Sequence, residues 1–217
     1  MSQRRTGMLD GADRRTLILD AARDVISERG VDAARMADIA ERAGVSLGLV
    51  QHYFRHRDRL LAEVFSLESE RITVRWRNLV DPGADPLTRL VEYLRLCARE
   101  GTDPSVRSFR LTWSLWLEFW SKANRDAALR EEVAAIYREF SAPFSDAIVE
   151  GIERGIFAPR GAVPDIVDRV VSLIDGLAIR TLLDGMDQHR MLSLLVDCLC
   201  IELGVADEEA KLLRQRL

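Results

Sequence analysis

At 217 residues the chain is long enough for one large or two small domains with a real core. Hydrophobic residues make up 47% and charged residues 30%, the balance of a globular protein and not of a disordered one. The formal net charge of −4 excludes an all-over basic coat, but residues 1–60 hold 11 Arg against 9 acidic residues while the rest is acidic, the direction expected of a nucleic-acid module on an acidic body.

In chain order, residues 1–12 read as a flexible basic arm. Arg4 and Arg5, with Arg14 and Arg15, would reach a minor groove or simply stay solvated. A helix is predicted over Asp13–Arg29, where Leu17, Ile18, Ala21, Ala22, Val25 and Ile26 recur on one face and Gly30 stops the run. Met36, Ile39, Ala40 and Ala43 make a shorter stripe ended by Gly44, and Ser46 caps a third helix to about Tyr53. Three short helices with glycine at the tight turn describe a helix-turn-helix domain over 13–60.

A long helix, Arg57–Leu79, places Leu61, Val64, Phe65, Ile72 and Trp76 on one side and breaks at the turn Asp81–Pro86. Further helices are predicted over 87–100, 106–122, 126–154, 164–185, 189–203 and 207–216, with no convincing strand. The expected fold class is all-α: an N-terminal three-helix helix-turn-helix domain, then a helical ligand-binding and dimerisation domain over 61–217. Asp165–Asp184 and Met191–Leu203 are apolar nearly all round, so each must be covered on more than one side. Packing inside the subunit would do this. The preferred reading is a symmetric four-helix interface between two copies, with Val170, Ile174, Leu177, Leu182, Leu195 and Leu199 at the contact.

No apolar run is long enough to span a bilayer, and the first fifteen residues lack a signal-peptide core, so a cytoplasmic protein without membrane contact is expected. The three cysteines, Cys97, Cys198 and Cys200, are too few for a disulfide framework. Cys198 and Cys200 would point to opposite sides of a helix, so no metal site and no cofactor is expected.

The third helix can be read position by position. Val50 and Phe54 fall on its inner side, leaving Leu47, Gly48, Gln51 and His52 free to enter a major groove. Gln51 suits a bidentate pair with adenine, His52 a base or phosphate, and Leu47 a thymine methyl, while Gly48 permits close backbone approach. Tyr53 would place its hydroxyl on a phosphate. The helix itself has no Lys or Arg, but Arg35, Arg42, Arg55, Arg57 and Arg59 surround it, and phosphate contacts supply much of the affinity in DNA binding. Double-stranded DNA is the expected partner.

Phe109, Trp113, Trp116 and Trp120 form one helical stripe holding three of the four tryptophans. It reads equally as a core seam or as an aromatic wall for a ligand or cation. Tyr137, Phe140, Phe144 and Asp175 are candidate further lining, and Asp175 is costly to bury unpaired.

The stretch Met36–Ser46 (MADIAERAGVS), continued by LGLVQHYF and by Arg57–Leu60 (RDRL), resembles the tetracycline-repressor (TetR) family over residues 13–61. The resemblance implies a homodimeric all-α transcriptional regulator that grips a palindromic operator and is released by a small effector. It also implies phosphate binding at Arg57, where the family usually has Lys. Gln51 and Arg35 depart from the Tyr and Thr common there. WLEFW (116–120), ALREEVAAIYREF (128–140) and LIDGLAIR (173–180) look like the choline-sensing, BetI-type branch, without making choline the ligand. A cationic or amphipathic effector is expected. The rival readings are an enzyme, for which no nucleophile elbow, phosphate loop or metal-protease motif is present, and a regulator with a filled, ligand-less body that acts through protein contacts.

Overall fold

The computed structural model describes residues 11–79, 81, 83–98 and 109–215, which form ten α-helices and no strand. Arg4 and Arg5 of the expected basic arm lie outside these residues, as do the side chains of Ile72 and Trp76. The helices fall into two compact units. Described residues up to 68, with 114–119, make the first, and the rest make the second.

In the first unit, α1 (Gly11–Arg29) packs on α2 (Met36–Ala43), which packs on α3 (Leu47–Phe54). The apolar spacing of α1 buries Ile18, Ala22, Val25 and Ile26. Leu17 shares that spacing, at the N-terminal end of the face, yet is 38% exposed. The α2–α3 turn depends on Gly44, whose φ of 66° is left-handed and lets the chain leave α2 after its last turn. Ion pairs Arg29–Asp38 (2.9 Å) and Arg42–Glu28 (2.5 Å) join α1 to α2 across their exposed edges. The start of α4 (Arg57–Leu79) adds Leu60, Leu61, Val64 and Phe65 to this core. Phe65 stacks on Phe119 with centroids 4.0 Å apart and meets Trp116 edge-on at 4.3 Å.

The second unit contains α5 (Pro86–Ala98), the remainder of α6 (Phe109–Ala123), α7 (Ala127–Glu153), α8 (Val163–Leu183), α9 (Gln188–Leu203) and α10 (Asp207–Gln215). The predicted helices match within two or three residues wherever residues are described; the predicted starts at 106–108 and ends at 99–100 and 216 lie outside them. Pro143 sits inside α7 and removes a helical donor. One residue-turn away, the Tyr93 hydroxyl donates to the Phe140 carbonyl at 2.6 Å.

The packing of α7, α8, α9 and α5 changes the reading of the two strongly apolar helices. Val170, Ile174, Leu195 and Leu199 are at most 1% exposed and Leu177 is buried, so within one subunit these five pack into its own core. Leu182 is half-buried. The apolar residues that do face out are Leu183, at 69%, and Ile201, at 78%. Among the described residues no helix is long and apolar enough to cross a membrane.

Candidate functional site

The outer face of α3 is set by its inner one. Val50 and Phe54 are fully buried, four residues apart, and this fixes the helix by two anchors. Ser46 caps it, its Oγ accepting from the Leu49 amide at 3.2 Å. With those three positions fixed, Leu47, Gly48, Gln51 and His52 are all exposed on the other side, as the sequence spacing requires. A β-carbon at Gly48 would meet nothing nearer than Ser46 Oγ at 3.9 Å, so the fold does not demand glycine there. Tyr53 is half-buried. Its ring lies edge-on to His52, and its hydroxyl approaches Gly11 at the start of α1.

The flanking arginines divide into two groups. Arg42 is held bidentately by Glu28, and burial-free pairing lowers the Glu28 carboxyl below its ordinary range. Arg15 and Arg59 both reach Glu63, and Arg15 also lies 5.7 Å from the Phe54 ring centre. Arg57 is half-buried, its guanidinium donating to the Ala34 carbonyl at 3.1 Å and to the Val31 carbonyl. In the absence of DNA it pins the α1–α2 loop. Arg35 stands exposed at the start of α2, where its amide donates to Asp38. Arg55 is also exposed.

The second candidate site lies inside the second unit. Tyr137 on α7 donates to Asp175 Oδ2 on α8 at 2.6 Å, and the Trp120 indole of α6 hydrogen-bonds the same tyrosine oxygen. Trp113 lies one ring further on, 6.5 Å from Trp120, and donates to the Cys97 carbonyl at 3.4 Å. Burial pushes the Asp175 carboxyl up to about 6, against the pull of the Tyr137 hydrogen bond. The same burial, and then the Asp175 charge, pushes the Tyr137 hydroxyl above its ordinary range. Tyr93 and Cys97 on α5 are raised chiefly by burial, with Asp175 contributing. Among the described residues no Lys, Arg or His side chain pairs with Asp175.

The expected aromatic wall is thus brought together only in part. Trp113, Trp120, Tyr137 and Asp175 connect in sequence, and Phe109 joins through Trp113, 6.1 Å away. Phe140 and Phe144 join through Tyr93. Trp116 instead fills the core of the first unit against Phe65. Tyr93 and Cys97 were not among the expected residues, although their i, i+4 spacing in an apolar helix was a usable signal.

Three comparisons bear on this geometry. The family model described as bacterial regulatory proteins of the tetR family matches residues 18–64, and that of the BetI-type transcriptional repressor C-terminal domain matches 86–200. The chain is 31% identical to the HTH-type transcriptional regulator BetI of Cronobacter sakazakii, over 79% of this chain and 81% of that one. It is 26% identical to the regulator PksA of Bacillus subtilis, over 89% and 93% of the two chains. Its fold is similar to that of a transcriptional regulator from Saccharomonospora viridis solved with choline. The TM-score there is 0.74 at 25% identity, covering 86% of this chain and 95% of that one.

Proposed function

Since the chain belongs to the tetR family of bacterial regulatory proteins and carries a BetI-type C-terminal domain, it is a DNA-binding transcriptional regulator and not an enzyme, and we propose that it is a cytoplasmic homodimeric repressor released from a palindromic operator by a cationic small molecule. In this reading residues 13–60 hold the DNA and 61–217 hold the effector and the second copy.

The outer face of α3 carries the DNA part of the reading. Four exposed positions, apolar Leu47, small Gly48 and polar Gln51 and His52, stand clear on a helix anchored from behind. Gln51 reads adenine and His52 a base or phosphate, while Leu47 meets a thymine methyl. Arg35, Ser46 and Tyr53 supply backbone contacts. Gly48 fits the close approach of a duplex, because nothing within the protein requires it.

The effector part rests on Asp175, a carboxyl set among aromatic rings with a tyrosine hydroxyl for company and no cation among the described side chains. A positively charged ligand supplies that missing charge, and the faces of Trp113 and Trp120 add cation–π attraction. The choline-bound neighbour and the BetI-named relatives support the class. Leu183 and Ile201, exposed on α8 and α9, support pairing of two copies through those helices. Trp116 packed on Phe65 is what favours the rival reading of a filled body without a ligand.

The test is selection of bound duplexes from a random pool with the intact protein, followed by titration of the complex with choline, other amines and fatty-acyl compounds. A palindromic duplex carrying two copies, released by an amine, is the expected outcome. Release only by acyl compounds overturns the cationic class. Release by neither leaves the filled body as the better reading, and recovery of no shared sequence overturns the operator.

A further inference from the structure

Immediately after α3 the backbone does something that its sequence does not favour. Arg55 has φ 53° and ψ −54°, and it is the one non-glycine residue with positive φ among those described. Its own amide still closes the last turn of α3 on the Gln51 carbonyl at 2.8 Å. The next amide, of His56, turns back to the Phe54 carbonyl at 2.5 Å. This second bond closes a three-residue γ-turn centred on Arg55, the strained form in which an L side chain is poorly accommodated.

Both flanks explain why the turn is forced. Phe54 on one side and Leu60 on the other are fully buried, and the His56 carbonyl already accepts from Leu60 at the start of α4. The chain must reverse in one residue whatever stands there, and glycine is the residue that would do so with least strain. Among the described residues no hydrogen bond or ion pair of the side chain compensates for arginine. Its side chain is exposed, unlike Arg57, two residues on, whose guanidinium is occupied by the Val31 and Ala34 carbonyls.

We propose that Arg55 is the backbone-gripping cation of the recognition helix, kept on a strained turn because its charge serves a DNA phosphate, in the place that Arg57 has left for a structural role. The partner rests on the DNA-binding reading above; the strained turn does not. Arg55 adjoins the exposed Gln51 and His52 in sequence, so a phosphate held there fixes the register of the two base-reading side chains.

Three variants of the full chain separate charge from strain. Arg55→Ala removes the charge and keeps the turn's strain, Arg55→Gly removes both, and Arg55→Lys keeps both. Melting should place Arg55→Gly roughly 2–4 °C above Arg55→Ala, with Arg55→Lys near the parent protein. Affinity for the duplex recovered by selection should be measured across salt concentrations. Arg55→Ala and Arg55→Gly should both flatten the dependence of log K on log salt by about one unit, and Arg55→Lys should keep it. Arg55→Gly melting at or below Arg55→Ala overturns the strained turn. Unchanged slopes in a protein that still selects a duplex overturn the phosphate grip alone. Failure to select any duplex overturns the DNA-binding reading, while the melting comparison still decides the turn.

Discussion

On α3 the polar side chains stand in solvent and the apolar ones behind them do the holding; around Asp175 the polar atoms are half-buried against aromatic rings. The first arrangement leaves its hydrogen-bonding capacity unfilled at almost no energetic penalty, because water serves Gln51 and His52 until a duplex replaces it. The second holds a carboxyl where charge is disfavoured, which raises its proton affinity and makes a counter-charge welcome. One surface is therefore selective by shape and edge pattern, and the other by charge. Variants at the two should fail in different ways.

The sharpest break of that contrast is Phe54→Ala. Phe54 is fully buried behind the reading face, and truncation should destabilise the first unit by about 3–5 kcal/mol. Chemical denaturation should then show an early-melting N-terminal unit, with operator affinity lost in parallel. Intact binding in such a variant would mean that α3 is not positioned by its inner face. Gln51→Ala comes next and tests the outer face alone. Melting should be unchanged, while discrimination at one base position should drop by about 1–3 kcal/mol. Equal losses on selected and random duplexes would remove Gln51 from the reading face.

These two differ in how openly the sequence displays them. Val50, Phe54, Ser46 and Gly44 are local: helical period, a cap and a left-handed turn all lie within a dozen residues, so the face of α3 can be worked out from spacing. Partners distant along the chain carry no such signal. Tyr137 and Asp175 are 38 residues apart, and the carbonyls that take Arg57 lie 23 and 26 residues before it. The same blindness applies to α8 and α9, because an all-round apolar helix looks alike whether α5 and α7 cover it or a second copy does. Burial assigns Val170 and Leu199 to the core and leaves Leu183 and Ile201 outside. The turn at Arg55 was hidden for another reason, since no glycine marks it.

Asp175→Asn sharpens the contrast from the charge side. The native carboxyl sits at about 6, above the ordinary value near 4 that it regains on unfolding. Between those values the native state binds the proton more tightly, so the parent protein loses stability as pH rises from about 4 to about 6 and carries the full penalty above that. Asparagine keeps a carbonyl acceptor for the Tyr137 hydroxyl and has no charge to desolvate. At pH 7 it should stabilise the protein by about 1–2 kcal/mol, a gain reduced for residual solvent and vanishing below about pH 4. Release of the DNA by an amine should be lost in the same variant. In the parent it should weaken below about pH 6, where the proton competes with the cation. Denaturation curves at pH 4 and pH 7 decide the first point. A variant less stable at pH 7 would mean that the charged carboxylate is better served than its surroundings indicate.

Arg57→Ala has the smallest expected effect and cuts across the comparison, because it changes a cation in the DNA-facing unit that behaves like part of the interior. Its guanidinium is half-buried and satisfies the Val31 and Ala34 carbonyls, which lie between α1 and α2 with no helical donor of their own. Removing it leaves the Ala34 carbonyl to water that reaches the loop and the Val31 carbonyl to the Ala34 amide at 3.3 Å, so the loss should be about 1 kcal/mol and not the larger penalty of a sealed site. The salt dependence of DNA binding should stay that of the parent, since no phosphate contact disappears. A flattened salt dependence with unchanged melting would return Arg57 to the DNA backbone and make its loop contacts a resting position that the duplex displaces.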